Sequence, residues 1–349
     1  MSIMEFFSVL VCEPLFFIVS IVILGVIFVN GWTDAPGAIT ASVSTGALKM
    51  REAAILAAIF NFLGALIMGI FNSSVMSSVV HITMLIQGGE HSIAVLCASM
   101  LSIIIWASAA CYFGIPTSES HALISGVLGG AIATGTSLSV EGINALKLAF
   151  LGLILSLPIG CLIGYTYSRI IKKIFGNING QKRERLIKRG QILGAALMAF
   201  MHGAQDSQKF AGVFIAAMCM AVTVPSDVGV YNAPMWVVAL CALLMALGTS
   251  VGGYRIIKKV GMDTVDLTNE KGLAADMAGA TCMLLASLGG IPVSTTHTSS
   301  ASVVGAGISD ADGKLNFSSI KEMIIAWICT FPCCGLLSFG FAKLFMLIF

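Results

Sequence analysis

The segment GIPTSESHALISG at residues 114–126 and the segment GIPVSTTHTSSAS at residues 290–302 repeat one polar pattern inside apolar surroundings. Each begins with Gly-Ile-Pro, places a serine two residues after the proline, and places a histidine three residues after that serine. The two copies begin about half a chain length apart, so the pattern predicts an internal duplication in which each half carries one polar hairpin.

The composition places the chain in a membrane. Of its 349 residues, 57% are hydrophobic and only 10% are charged, and the mean hydropathy is +0.97. Because so little charge cannot cover a water-soluble surface, a soluble globular protein is excluded. Eight of the 19 Lys and Arg residues fall within residues 169–189, which the positive-inside rule places in the cytoplasm. We therefore predict a first membrane repeat at 1–168, a basic cytoplasmic linker at 169–190 and a second membrane repeat at 191–349, within the cell membrane.

Apolar runs long enough to cross a bilayer, about 17 to 25 residues, predict an all-α polytopic fold. They lie near residues 52–71, 93–113, 146–170, 236–254, 273–289 and 322–348. Two further apolar segments are interrupted by polar residues, the first by NGWTDAPG at 30–37 and the second by MHGAQDSQK at 201–209. Each flank is too short to span alone, so we expect two broken helices whose irregular backbone is satisfied by protein or by a watery cavity.

The order of these elements predicts an inverted repeat. Each interruption precedes one Gly-Ile-Pro segment by a similar interval, and three full crossings separate Asp34 from Asp206. An odd number of crossings inverts the second copy relative to the first. Inverted repeats with interrupted helices are typical of secondary transporters, so we predict that fold with two broken helices and two re-entrant hairpins.

The two Gly-Ile-Pro segments could each form an anion site. Proline suits the first turn of a helix, and the hydroxyls that follow it lie beside N–H groups without intrahelical partners. A helix N-terminus also carries partial positive charge, so two such ends could face one anion. The candidate hydroxyl residues are Thr117, Ser118, Ser120, Ser294, Thr295 and Thr296.

Buried charges in the two interruptions predict a cation site beside the anion. Asp34 and Asp206 occupy matched places, and an ionisable residue inside a membrane segment is expensive and therefore usually functional. Oxygen-rich pockets of carboxylate and amide groups suit hard cations or protons. The neighbouring side chains that could take part are Asn30, Thr33, Gln205, Gln208 and Lys209, the lysine being suited to an anionic substrate.

Histidines recur in the same pattern. His121 and His297 follow the two motif serines at the same distance, and His202 lies at the start of the second interruption. Such residues could orient the hydroxyl groups or relay protons, and we favour the orienting role.

An anion and a cation bound side by side predict symport. A negative cell interior opposes an incoming anion by about 2.3 kcal/mol per charge per 100 mV, and a cation loaded with the anion removes that penalty. The coupled ion could be a proton, sodium or a metal ion. Two rival classes are an anion channel, which has no reason to carry the aspartate pair, and an intramembrane serine protease, which needs one Ser–His dyad rather than two.

Four motifs together resemble the inorganic phosphate transporter family, especially its bacterial low-affinity branch. They are NGWTDAPGAITASVSTGAL, GIPTSESHALISG, HGAQDSQKFAG and GIPVSTTHT, in the family's order over essentially the whole chain. The resemblance implies a dimeric inverted repeat in the membrane that imports inorganic phosphate with sodium or protons, or as a metal–phosphate complex. It implies no enzymatic activity, no cofactor and no nucleic-acid partner, with sulfate as the alternative substrate.

The resemblance also implies roles for particular residues. Asp34 and Asp206 fall in the paired signature loops that bind cation and substrate. The chain departs from the family at Thr33 and Gln205, which stand where asparagine, or histidine in the first copy, is usual, and at Gly37, which replaces a second asparagine. The residues expected to contact phosphate are Thr117, Ser118, Ser294, Thr295, Thr296, Gln208 and Lys209.

Overall fold

The computed structural model describes residues 2–86, 91–135, 139–178, 180–222, 233–309 and 315–349. Over these residues the fold is all-α, and the only β interaction is an isolated bridge between Val265 and Leu315. The α-helices are α1 Ile3–Cys12, α2 Pro14–Thr33, α3 Thr40–Ser44, α4 Met50–Phe71, α5 Ser74–Thr83, α6 Ser92–Phe113, α7 Glu119–Thr134, α8 Val140–Phe175, α9 Gly180–Val222, α10 Met235–Val251, α11 Tyr254–Ile257, α12 Asn269–Leu288, α13 Thr295–Gly307 and α14 Phe317–Ile348.

Several of these helices are long and apolar enough to cross a membrane. The segments are Pro14–Ser44, Met50–Phe71, Ser92–Phe113, Val140–Phe175 and Phe317–Ile348, and α10 with the bent Tyr254–Met262 segment adds a sixth. Each apolar run predicted as a crossing coincides with one long helix, namely α4, α6, α8, α10, α12 and α14. The chain is therefore an all-α polytopic membrane protein, as the sequence predicts.

The first predicted break is confirmed. Helix α2 ends at Thr33, the backbone tightens into a 3₁₀ helix at Ala35–Ile39, and α3 continues from Thr40. Pro36 lies at the start of the 3₁₀ helix and favours the break, because proline has no N–H to donate and its ring collides with the carbonyl four residues earlier. Asp34 caps α2 and so lies where regular backbone hydrogen bonding stops.

The second predicted break is wrong. Helix α9 runs without interruption from Gly180 to Val222, through the polar residues 201–209. The polar segment contains no proline, so every backbone N–H keeps its place in the helical ladder. Gly203 allows a close helix approach at this point, because a Cβ there would lie 2.2 Å from the Asn61 carbonyl oxygen of α4. The polar side chains of α9 form hydrogen bonds with neighbouring helices, as His202 and Gln205 do, or with each other, as Asp206 and Lys209 do. The backbone of α9 therefore stays helical.

The basic segment at 169–190 is largely helical. Its first residues belong to the end of α8, which is followed by a turn at residues 176–177, and its last residues belong to the start of α9. Lysine and arginine favour helices, and here they lie largely on exposed faces, so the charged segment simply extends both helices.

Both Gly-Ile-Pro segments form helical hairpins with the same geometry. Gly114 ends α6 at φ +70° and Gly290 follows α12 at φ +64°, a left-handed conformation that glycine adopts without strain. An extended stretch then leads into α7 or α13. These helices have 16 and 13 residues, about 24 and 20 Å at 1.5 Å per residue, and so fall short of a bilayer core of about 30 Å.

The two halves of the chain pack crosswise. Helix α7 packs against α14 while α13 packs against α8, and α4 packs against α9 while α10 packs against α2. Matched glycines permit these contacts: a Cβ at Gly64 would lie 1.8 Å from the Phe200 carbonyl oxygen, and one at Gly248 would lie 2.1 Å from that of Phe28. The crosswise packing brings the hairpin tips, the break after α2 and the middle of α9 to one place.

Candidate functional site

The tips of the two hairpins meet at the centre of the protein. Ser118 caps α7 by accepting from the His121 backbone N–H, and Ser294 caps α13 by accepting from the His297 backbone N–H. Their hydroxyl oxygens lie 2.8 Å from each other. Two helix N-termini, each with free N–H groups and partial positive charge, therefore converge on one buried point.

Asp34 and Asp206 lie beside these tips and share a hydroxyl group. Thr295 Oγ1 lies 2.6 Å from Asp34 Oδ2 and 3.2 Å from Asp206 Oδ2. Thr296 Oγ1 lies 2.6 Å from the other Asp34 oxygen and 3.0 Å from the Thr117 carbonyl oxygen. Both carboxylates are buried, so α13 supplies their hydroxyl partners in place of water.

Lys209 carries its charge into the same place. Its ammonium donates to Asp206 Oδ1 at 2.6 Å, to Ser120 Oγ at 2.8 Å and to the Val293 carbonyl oxygen at 2.6 Å. An ammonium has three N–H donors, so this set uses all of them. Lys209 thus joins α9 to the tips of both hairpins.

His202 and Asn30 complete the surroundings of the aspartates. His202 Nε2 lies 3.4 Å from Asp206 Oδ2 and 3.9 Å from Asp34 Oδ2, while its Nδ1 contacts Asn61 Oδ1 at 3.1 Å. Asn30 donates to Asp206 Oδ2 at 3.2 Å. The ligand atoms of Asp34, His202 and Asp206 lie within 4.8 Å of one another, a spacing that could hold a cation.

We refer to this buried group as the central cluster. Its members are Asn30, Asp34, Ser118, Glu119, Ser120, His202, Asp206, Lys209, Ser294, Thr295 and Thr296. The cluster combines anion-binding helix ends with cation-binding oxygens, so it can accommodate an oxyanion and a cation side by side.

The paired histidines lie next to the tips, and the Nδ1 atom of each contacts a backbone carbonyl of a long helix. The rings of His121 and His297 pack edge to face with centroids 4.5 Å apart. His121 Nδ1 lies 3.1 Å from the Trp327 carbonyl oxygen, and His297 Nδ1 lies 3.3 Å from that of Leu153. Each ring therefore holds its hairpin to the long helix of the opposite half.

Two residues expected in the site have their partners elsewhere. Gln205 donates to Ser287 Oγ at 3.0 Å on α12, and Gln208 Oε1 accepts from the Met76 backbone N–H of α5 at 3.4 Å. On a continuous helix these positions are rotated away from Asp206, whereas Lys209 three residues later shares its face. The structure thus brings Lys209 into the cluster and gives both glutamines packing contacts with neighbouring helices.

Thr33 leads to a residue that the sequence analysis missed. Its hydroxyl donates at 2.7 Å to Oε1 of Glu119, the first residue of α7. Glu119 is buried, and its other oxygen has no hydrogen-bond partner among the residues that the structure describes. A glutamate within a membrane-embedded motif is itself a functional signal, because burying its charge is costly. Glu119 lies between the motif hydroxyl residues Ser118 and Ser120, and its charge could have identified it. Asn61, the partner of His202, had no such signal because it lies alone in an apolar run.

The chain is similar to known proteins over most of its length. The sequence model of the phosphate transporter family matches residues 30–338. A protein of Bacillus subtilis (strain 168), named probable low-affinity inorganic phosphate transporter, is 37% identical over 305 residues, covering 87% of this chain and 89% of its own. A protein of Rhizobium meliloti (strain 1021) with the same name is 30% identical over 311 residues, covering 89% and 90%.

One solved structure shares the fold. It is described as "The sodium-dependent phosphate transporter", and it aligns with a TM-score of 0.81 over 97% of this chain and 100% of its own. Its sequence is 22% identical, so the likeness shows the arrangement of helices.

Proposed function

The chain belongs to the phosphate transporter family, and we propose that it imports inorganic phosphate together with a cation through the central cluster. Family membership makes it a transporter and not an enzyme, and its apolar helices make it a multi-pass membrane protein. The observation that carries the proposal is the meeting of two helix N-termini at the Ser118–Ser294 contact, directly beside two buried aspartates.

Phosphate suits this mixture of donors and acceptors. The helix ends and the hydroxyls of Ser118 and Ser294 offer donors to its charged oxygens. Near neutral pH phosphate also carries at least one O–H, which can donate to a carboxylate such as Asp34, whereas sulfate carries none. The acceptors of the cluster therefore favour phosphate over sulfate.

The aspartates make the cation necessary. Asp34 and Asp206 would repel an incoming anion, and Lys209 offsets only one of these two charges. A sodium ion, a proton or a metal ion bound with phosphate would neutralise the remaining charge and reduce the electrical cost of import. Carboxylate, hydroxyl and carbonyl oxygens are the ligands that hard cations prefer.

The arrangement around the membrane follows from the same proposal. We propose that residues 1–168 and 191–349 are inverted repeats, because their helices pack crosswise and their hairpins match. The basic segment at 169–190 would then face the cytoplasm. As the family resemblance implies, the working assembly would be a homodimer in the cell membrane, surrounded by lipid.

Uptake into proteoliposomes tests the proposal. Radiolabelled phosphate is supplied under an imposed proton, sodium or magnesium gradient, with sulfate as competitor. We expect one gradient to drive concentrative uptake that excess sulfate does not suppress. The Asp34→Asn variant should abolish that drive, while Asp266→Asn, which changes an exposed aspartate outside the cluster, should not. Gradient-independent flux, or uptake of sulfate in preference to phosphate, would overturn the proposal.

A further inference from the structure

We propose that the ammonium of Lys209 is a tethered cation, that is, a cation covalently fixed to the protein. It occupies the group of oxygen atoms around Asp206, in the second half of the chain. A mobile coupling cation occupies the matching group around Asp34, in the first half. The inference rests on the proposed function, because it concerns the ions that accompany phosphate. It follows from a comparison of two matched sets of oxygen atoms.

The second-half set surrounds Lys209. The three acceptors of its ammonium are a carboxylate oxygen of Asp206, the hydroxyl of Ser120 and the carbonyl of Val293, at 2.6, 2.8 and 2.6 Å. The hydroxyl and the carbonyl come from opposite hairpins and lie 3.1 Å apart. The acceptors therefore form one compact group around a single positive charge.

The first half contains the matched group. Asp34, Thr296 and Thr117 are the counterparts of Asp206, Ser120 and Val293 in the repeated motifs. Thr296 Oγ1 lies 2.6 Å from Asp34 Oδ1 and 3.0 Å from the Thr117 carbonyl oxygen. The hydroxyl-to-carbonyl distance of 3.0 Å is close to the 3.1 Å of the second half, so the two groups share this contact. In the first half the hydroxyl also donates directly to the carboxylate, whereas in the second half the Lys209 ammonium bonds to both groups.

The two groups differ in whether a positively charged side chain lies within them. Lys209 follows Asp206 by three residues, and the residue three after Asp34 is Gly37. Among the described residues, no lysine or arginine side chain is hydrogen-bonded or ion-paired to Asp34. A carboxylate, a hydroxyl and a carbonyl are suitable ligands for a hard cation from solution, whereas an ammonium on a buried side chain cannot leave with the substrate.

The consequence concerns how many ions move. The first-half group would release its cation in each transport cycle, whereas the second-half charge would stay with the protein. Phosphate uptake should then depend on one mobile cation fewer than a cluster with two exchangeable groups. Replacing Lys209 with a small side chain should leave space for a cation from solution, so the group around Asp206 should become a second site for a mobile cation.

Three variants test the tether. Lys209→Ala removes the ammonium and opens space, Lys209→Met removes the charge but fills the space, and Asp206→Asn with Lys209→Ala removes both charges. The melting temperature of the purified protein and phosphate uptake into proteoliposomes are each measured over a range of coupling-cation concentrations. We expect the Hill coefficient of phosphate uptake for the cation to rise from about one toward two in Lys209→Ala alone, because uptake would then need two bound cations and the upper limit is the number of sites.

A second comparison uses the ligands and keeps Lys209 in place. Thr296→Val should raise the cation concentration for half-maximal stabilisation several-fold, because it removes a ligand of the mobile cation. Ser120→Ala removes a ligand of Lys209 and not of the mobile cation, so it should raise that concentration less than Thr296→Val does. Equal effects of the two variants, or a Hill coefficient in Lys209→Ala equal to that of the wild type, would overturn the tether. Wild-type protein that shows no cation-coupled phosphate uptake would instead overturn the proposed function.

Discussion

The two halves of the central cluster begin from one sequence pattern and end with different backbones. Around Asp34 the chain leaves the helix at Thr33 and turns through Ala35–Ile39, whereas around Asp206 it stays in α9. Proline distinguishes the two segments, because it occurs in the first and not in the second, although α8 and α14 continue through Pro158 and Pro332. The comparison teaches that buried polar residues do not by themselves break a helix when their side chains have partners.

The two backbones give the aspartates different partners. In the unbroken helix, His202, Asp206 and Lys209 lie on one face, so Asp206 receives its countercharge from its own helix. Asp34 receives only hydroxyl groups from α13, with the His202 ring at a longer distance. The second half is thus held by an ion pair within α9, whereas among the described residues Asp34 has no lysine or arginine partner.

The largest difference between the halves should appear when each aspartate is neutralised. We expect neither Asp34→Asn nor Asp206→Asn to support gradient-driven phosphate uptake. Asp206→Asn should also destabilise the protein by about 3–5 kcal/mol, because it leaves the Lys209 ammonium buried without its carboxylate. Asp34→Asn should cost less than about 1.5 kcal/mol, since an amide oxygen can still accept from a threonine.

Melting temperatures of the two purified variants measure this difference. Equal losses of stability would contradict the view that Asp206, and not Asp34, supplies the carboxylate of the Lys209 ion pair. The double change of Asp206→Asn with Lys209→Met serves as the matched control, because it removes both charges and should recover most of the lost stability.

The hairpin tips offer the next comparison. Glu119 begins α7 where Thr295 begins α13, so Glu119→Thr makes the two tips more alike. Losing one carboxylate beside the anion site should lower the KM for phosphate and raise the half-saturating concentration of the cation, each by about tenfold, or about 1.4 kcal/mol.

Initial uptake rates at varied phosphate and varied cation give both constants. Glu119→Gln distinguishes charge from shape, because it keeps a hydrogen-bond acceptor for Thr33 while removing the charge. If only the threonine variant changes the constants, the charge of Glu119 is not what the cluster uses.

Restoring the helix at the first aspartate should have a smaller effect. Pro36→Ala supplies the missing N–H and removes the ring, so α2 can continue past Asp34 as α9 does past Asp206. We expect uptake to fall several-fold because the Asp34 oxygens turn away from Thr295 and Thr296. Hydrogen exchange at residues 37–40 reports the backbone change, and unchanged exchange together with unchanged uptake would show that Pro36 is not what maintains the break.

The smallest effect is expected at the surface. Arg183 pairs with Glu270 at 2.5 Å between α9 and α12, outside the central cluster and with both side chains partly exposed. Glu270→Ala should change stability by less than about 1 kcal/mol and leave phosphate uptake unchanged, because partly exposed ion pairs contribute little. A large loss of uptake would place part of the functional asymmetry outside the central cluster.

Much of the fold follows from the sequence, because apolar length and repeated motifs are strong signals. The long helices and both hairpins lie where the apolar runs and Gly-Ile-Pro segments predict them. The prediction of a second break is wrong because the two interruptions are not equivalent. The presence of Pro36 in one and the lack of proline in 201–209 distinguishes them on physical grounds.

The candidate site was predictable in part. Asp34, Asp206 and Lys209 come together with the motif hydroxyls, as their charge and position indicate. Gln205 and Gln208 were included because they are neighbours of Asp206 in sequence, but on a helix such neighbours point in other directions. The partners of Glu119 and Asn61 depend on crosswise packing between distant helices, which the sequence of one chain does not define.

The contact between Ser118 and Ser294 bears on how tightly the substrate can be held. Each hydroxyl already has a partner, so an arriving phosphate exchanges one hydrogen bond for others instead of satisfying groups that had none. Exchange of this kind yields a net gain of only about 0.5–1.5 kcal/mol per hydrogen bond. A carrier built in this way can release its cargo quickly, because the tips regain a hydrogen bond with each other when phosphate leaves.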